Sequence, residues 1–168
     1  MDSSFRASVL LSIPVNEVDA AVEESRKRHE RSFDALWGER YKAGIVIVND
    51  GSSNDDFEVA RAVLGEFLTK NNILVLHNQS TPDPDHPLLG LKAVFTDNED
   101  VYEMKSVAGS FYVRFFFKQE DGSEVVGTAI SSTHAGAGVS PSSARQATVS
   151  NFLKAKGPEL LNSFQEGE

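Results

Sequence analysis

Cysteine is missing from this chain, so disulfide staples, thiolate metal sites and cysteine nucleophiles are excluded from the outset. Basic residues are few: 16 lysines and arginines stand against 25 aspartates and glutamates, a net charge of -9. That balance opposes nonspecific binding to nucleic acid or to an anionic membrane. Long hydrophobic runs are lacking too. The apolar stretch from Ala7 to Ile13 stops at Pro14, too short for a signal core, and nothing approaches the ~20 residues of a membrane span. These absences predict a cytoplasmic protein with no membrane partner. No internal repeat or low-complexity tract is present. What remains is 168 residues, 40% of them hydrophobic, enough for a single domain over 1–168 with its own core.

The segments predict α/β (α+β) architecture around a mixed sheet. Ser8 to Ile13 reads as a strand, and Glu17 to Trp37 as an amphipathic helix with Val18, Val22, Phe33 and Leu36 on its apolar side. Gly44 to Val48 is apolar on both faces and reads as an interior strand. After the turn Asp50-Gly51-Ser52-Ser53, Phe57, Ala60, Leu64 and Leu68 form one stripe of a helix. Its first turn carries Asp55, Asp56 and Glu58, as the helix dipole prefers. Asn71-Asn72 ends it, and Ile73 to Leu76 reads as a further strand. The first part of the chain, 1–78, is thus a β-α-β-α-β half with right-handed crossovers.

The second part, 87–160, reads as α-β-β-β-α. It follows a surface loop carrying Pro82, Pro84 and Pro87. Leu88 to Phe95 reads as a short helix; Val101–Val107, Phe111–Lys118 and Glu124–Ser132 read as antiparallel strands. Glu120-Asp121-Gly122-Ser123 is a hairpin turn between the last two. Ala135 to Val139 reads as a flexible glycine loop, followed by Ser140 as N-cap and Pro141 at the first position of a C-terminal helix. Gly157-Pro158 is expected to break that helix at about Lys156.

Candidate sites follow from this layout. A strand running into a helix start is where α/β proteins place ligands, which singles out Asn49, Asp50, Gly51 and Ser52, with turn formation and helix capping as the plainer reading. His77 and His134 lie at strand ends, where a general base is useful. Gly136, Gly138 and Ser140 precede a helix N-terminus whose amides can cradle a phosphate. Asp97, Glu99 and Asp100 form an acidic cluster that a divalent cation would need to complete with further oxygen ligands.

Ser8-Val9-Leu10-Leu11-Ser12-Ile13-Pro14-Val15-Asn16-Glu17, followed by Ile45-Val46-Ile47-Val48-Asn49-Asp50-Gly51-Ser52-Ser53, resembles the opening of family-2 glycosyltransferases of the GT-A fold. The likeness covers residues 7 to 80. It implies a nucleotide-sugar enzyme in which Pro14, Asn16, Glu17 and Asp50 contact the nucleotide. The family's metal-binding acidic motif would fall on Asp97, Glu99 and Asp100, holding magnesium or manganese. Residues 87 to 156 also resemble a double-stranded RNA-binding domain, with Gly138 to Ala147 at the phosphate-gripping helix start but without its paired lysines.

No acid, base, nucleophile and metal set converges in the sequence. The leading expectation is therefore a binding or interaction module, non-catalytic or minimally catalytic, with an anionic-ligand site at the Asp50 loop or a protein partner, including a second copy. A reduced nucleotide-sugar transferase is the alternative. A degenerate RNA-binding-like domain used for protein contacts comes third.

Overall fold

The computed structural model describes residues 19–20, 44–76, 86–100 and 102–165. Asp19 and Ala20 are helical. The rest of the predicted first strand and first helix lies outside the described residues. The described part is an α+β fold: β1 (Val46–Asn49), α1 (Asn54–Lys70), β2 (Leu88–Asp97), β3 (Lys105–Lys118), β4 (Glu124–Gly138) and α2 (Pro141–Gln165). The sheet is mixed and runs β1-β2-β3-β4. β1 and β2 are parallel, and β2, β3 and β4 are successively antiparallel.

Alternation along the strands decides which face is covered. Ile45 and Ile47 of the first segment, Leu89, Leu91 and Ala93 of β2, and Phe111, Val113, Phe115 and Phe117 of β3 join one buried cluster with the helices. Ala60, Leu64 and Leu68 of α1 and Val149, Phe152, Leu160 and Phe164 of α2 complete it. Ring stacking adds geometry to the burial: Phe111 lies against Phe152 at 4.7 Å between centroids, and Phe115 meets Phe164 edge-on at 5.0 Å. Residues of opposite parity, Val46, Leu88 and Phe116, form a smaller cluster on the other face.

Several expectations hold. β1, α1, the mixed sheet and the hairpin lie where the pattern put them. Ser53 caps α1 by accepting a hydrogen bond from the Asp56 amide, and Ser140 caps α2 by accepting one from Ser143. At the hairpin Gly122 has φ +82°, a left-handed value that glycine adopts without strain.

Others are corrected. Ile73 to Leu76 does not extend into a strand: it makes one parallel bridge, Ile45 with Val75. Leu88 to Phe95 is not a helix but the first part of β2, because only an extended chain puts Leu89, Leu91 and Ala93 in the core while Lys92 and Val94 stay exposed. The two separate strands expected at 101–107 and 111–118 are one, β3, passing through Ala108 and Gly109. The α-β-β-β-α order on which the RNA-binding likeness rested therefore loses its first helix.

Two further corrections concern glycines. Ala135 to Gly138 is not a flexible loop but the end of β4, paired with Lys105 to Ala108. A Cβ on Gly136 would sit 2.4 Å from the Thr148 amide nitrogen, and one on Gly138 would sit 2.3 Å from Ser143 Oγ. The glycines are there because α2 crosses at backbone distance. Buried Thr148 ties the crossing together, donating to the carbonyls of Val107 and Ala144. At the far end α2 runs on through Gly157 and Pro158 to Gln165. An interior proline costs a helix about 3 kcal/mol, and full burial of Leu160 and Phe164 offsets it, each worth about 1.5–3 kcal/mol.

Gly136→Ala is expected to destabilise the protein by about 1–3 kcal/mol in urea unfolding through overpacking against α2, while the exposed Ala137→Ser stays within about 0.5 kcal/mol of wild type. Equal unfolding curves for Gly136→Ala and wild type would contradict the close crossing. The hairpin also carries a pH dependence. Hydrogen bonds from the Ser123 hydroxyl and amide hold the Asp121 carboxyl below its ordinary range. A depressed folded-state pKa stabilises the turn above the unfolded value of about 3.9 and is lost as pH falls through the lower one. NMR signals of Gly122 and Ser123 are expected to move in that acid window, and Asp121→Asn to abolish the movement.

Candidate functional site

The loop after β1 is built by Asn49. Its side-chain oxygen accepts hydrogen bonds from the Gly51 and Ser52 amides, and its amide group donates to the Ser52 carbonyl. Ser52 in turn uses its hydroxyl to receive the Ala93 amide of β2 at 2.8 Å. The Gly51 and Ser52 amides are thus consumed within the loop, and the turn-and-cap reading describes its geometry.

Asp50 is engaged as well. Its carboxylate receives two hydrogen bonds from Arg114 of β3, Nε at 2.6 Å and Nη2 at 3.0 Å. The remaining arm of Arg114 reaches Glu124 of β4 at 2.6 Å. Below it the guanidinium stacks 4.2 Å over the Phe116 ring. A Cβ on Gly90 would lie 3.1 Å from both Arg114 Cγ and the Asp50 carboxylate, so the strand between the partners carries no side chain. The hydrogen bond to Asp50, reinforced by Glu124 against the opposing effect of burial, holds Arg114 charged well above the usual arginine range. One cation between two carboxylates leaves no free positive charge here for an anionic ligand.

Beside this network the exposed part of the sheet's second face holds an open cleft of about 390 Å³, lined by Asp50, Lys92, Val94, Ser110, Tyr112 and Ser131. Lys92, Tyr112 and Ser131 form one row across β2, β3 and β4 by register. Lys92 has no ion-pair partner among the described residues. Val94 and Tyr112 are exposed apolar surface on the same face. The row escaped the sequence reading because it joins three separate segments. The available signal was the lone Arg114 in an aromatic strand, which demands a carboxylate.

Of the other candidates, Asn16, Glu17 and His77 lie outside the described residues, and the described ones do not gather at this cleft. Gly136 and Gly138 sit in β4 against α2, and Ser140 exchanges hydrogen bonds with Ser143 within the α2 cap. His134 shares a 2.8 Å hydrogen bond with Ser132 and packs edge-on against Phe152. Asp97 ends β2, Glu99 is exposed and Asp100 pairs with Lys105. Among the described residues no group of three or more metal-ligating side chains converges, so Asp97, Glu99 and Asp100 do not fit a divalent-cation site.

No protein-family model matches the chain, and no curated protein matches it in sequence. Among solved structures it is similar to a minor lipoprotein from Acinetobacter baumannii, at 14% identity and TM-score 0.43, over 71% of this chain and 90% of that one. A candidate lipoprotein from Caulobacter crescentus is similar at 15% identity and TM-score 0.42, over 78% and 90%. A protein from Chlamydia trachomatis follows at 11% identity and TM-score 0.45, over 72% and 97%. At these values the likeness carries no assignment of activity.

The glycosyltransferase resemblance is corrected on the geometry. The Asp50 amide bonds the Leu91 carbonyl, and Asp97 lies six residues further along β2, roughly 20 Å at about 3.3 Å per residue. Metal ligands lie within about 2.6 Å of their ion, so Asp50 and Asp97 cannot hold one ion, and both oxygens of the Asp50 carboxylate are already engaged by Arg114. The cytoplasmic expectation is corrected too. Having no helix long and apolar enough to cross a membrane among the described residues does not place a chain in the cytoplasm.

Asp50→Ala is expected to lower stability without added ligand, by about 1–2 kcal/mol for a charge-assisted, partly exposed pair. Thermal unfolding with nucleotide sugars and manganese would check the correction: a metal-dependent rise in Tm abolished by Asp50→Ala would restore the transferase.

Proposed function

We propose that this chain is a non-catalytic binding module that receives its ligand on the exposed part of the sheet's second face, at the Lys92-Tyr112-Ser131 row. The observation that carries this reading is a cleft whose cation has no ion-pair partner among the described residues, lying beside a cation that is doubly paired. Arg114 is spoken for by Asp50 and Glu124; Lys92 is not. A carboxylate or phosphate oxygen is the group an ammonium with three donors takes up. The Tyr112 ring and Val94 offer apolar surface to the rest of the ligand, and the Ser110 and Ser131 hydroxyls supply orientation. The small acid thus belongs to the side of the Asp50 loop and not to the loop itself.

Nothing at this row favours chemistry. It brings together no general base and no nucleophile with a partner to activate it.

The test is NMR titration of the whole chain with a panel of small mono- and dicarboxylates, inorganic phosphate and an acidic peptide. Shifts centred on residues 92, 112 and 131 are expected, and Lys92→Met is expected to weaken binding roughly tenfold, about 1.4 kcal/mol. Shifts of the same size in Lys92→Met would refute the row as the ligand site.

A further inference from the structure

We propose that the outer edge of β4 is a self-association surface, on which two copies pair antiparallel about a two-fold axis at Ser131 and join their sheets into one of eight strands. The proposal stands on the sheet's hydrogen-bond parity and does not depend on the ligand reading above.

Parity follows from the hairpin between β2 and β3. The Asn98 amide bonds the Ser106 carbonyl, so even-numbered residues of β3 turn their backbone groups to β2 and odd-numbered ones to β4. Val107, Gly109, Phe111 and Val113 are therefore bonded to Gly136, His134, Ser132 and Ile130 in register. The odd residues of β4, Ala129, Ser131, Thr133, Ala135 and Ala137, present their N–H and C=O groups outward. Asn151 confirms this side by side-chain donation to the Ala135 carbonyl at 2.8 Å. All five residues are exposed, and among the described residues no strand lies beyond them.

An edge is ordinarily guarded by lysine, proline, an inward charge or a bulge. From Ala129 to Gly138 this strand has no proline, lysine, arginine, aspartate or glutamate, and its register irregularity lies before Ala129. The same feature selects a second copy as the occupant. In a chain of net charge -9, two copies approaching elsewhere oppose carboxylates, whereas here none meet. Antiparallel pairing about Ser131 sets Ala129 opposite Thr133, so the ladder runs over 129–133 and stops where the register of β4 shifts on one side and Asn151 takes the Ala135 carbonyl on the other; Glu124 lies beyond it. Glu124 is itself neutralised by Arg114. Facing side chains are small, so the strands close to ladder distance, and an isologous contact of this kind forms a closed dimer. Across the axis the two Lys92-Tyr112-Ser131 rows run into one another.

The absence of native cysteine makes the test direct. Across a hydrogen-bonded antiparallel pair the Cα atoms lie about 5.5 Å apart, inside the disulfide range of about 4.4–6.8 Å. Under mild oxidation Ser131→Cys is expected to form a covalent dimer at least about tenfold faster than Ala137→Cys, whose two copies stand roughly 40 Å apart in this register. Sedimentation of the wild type is expected to show a reversible dimer that tightens as salt screens the net charge. Ser131→Pro loses only an outward N–H and is expected to be monomeric with an unchanged circular dichroism spectrum. A wild type that stays monomeric to about 1 mM, the weakest affinity worth the name, overturns the proposal. So does equal crosslinking of the two cysteine variants, which decides the matter even if the proline variant unfolds.

Discussion

The crossing of α2 over the end of β4 is the constraint on which the rest of the structure depends. Only glycine at 136 and 138 lets the helix backbone come down on the strand, and buried Thr148 fixes its height by bonding a strand carbonyl. Once α2 is seated there, Phe152 stacks on Phe111 and Phe164 meets Phe115. The helix-facing parity of β3 is thereby set, and β2 follows by antiparallel register. The opposite parity buries Leu88 and Phe116 at one end and leaves Lys92 and Tyr112 exposed at the other, with Arg114 between them.

Local signals were readable wherever they sat within one element. β1 was visible from a run of β-branched residues, α1 from its stripe and Ser53 cap, the hairpin from Asp121-Gly122, and the start of α2 from Ser140-Pro141. β2 was misread because a short apolar run fits a buried helix turn as well as a strand, and only the burial of Leu89, Leu91 and Ala93 against exposed Lys92 separates them. Glycines at 136 and 138 look like loop residues until the helix that needs their missing side chains is in place.

The site was less legible than the fold. Asp50 was singled out as a ligand candidate at a strand end, yet its partner in the structure is 64 positions away, and no pattern in either segment encodes that pairing. Asn49 was noticed for ligand binding and acts in the structure as the organiser of the turn. The likeness to glycosyltransferases had the same origin: a buried strand followed by Asp-Gly-Ser is a solution to a local folding problem, and unrelated chains reach it independently.

Pro158 has a bearing on how α2 moves. Having no N–H, it removes one rung from the helix's hydrogen-bond ladder at the Lys154 carbonyl, directly beside Gly157, whose bare Cα accommodates the Phe67 ring of α1. The seam divides α2 into a long arm gripped by the sheet and a short arm held through Leu160 and Phe164. The short arm is therefore set apart from the rest of α2, and its amides are expected to exchange ahead of those around Thr148.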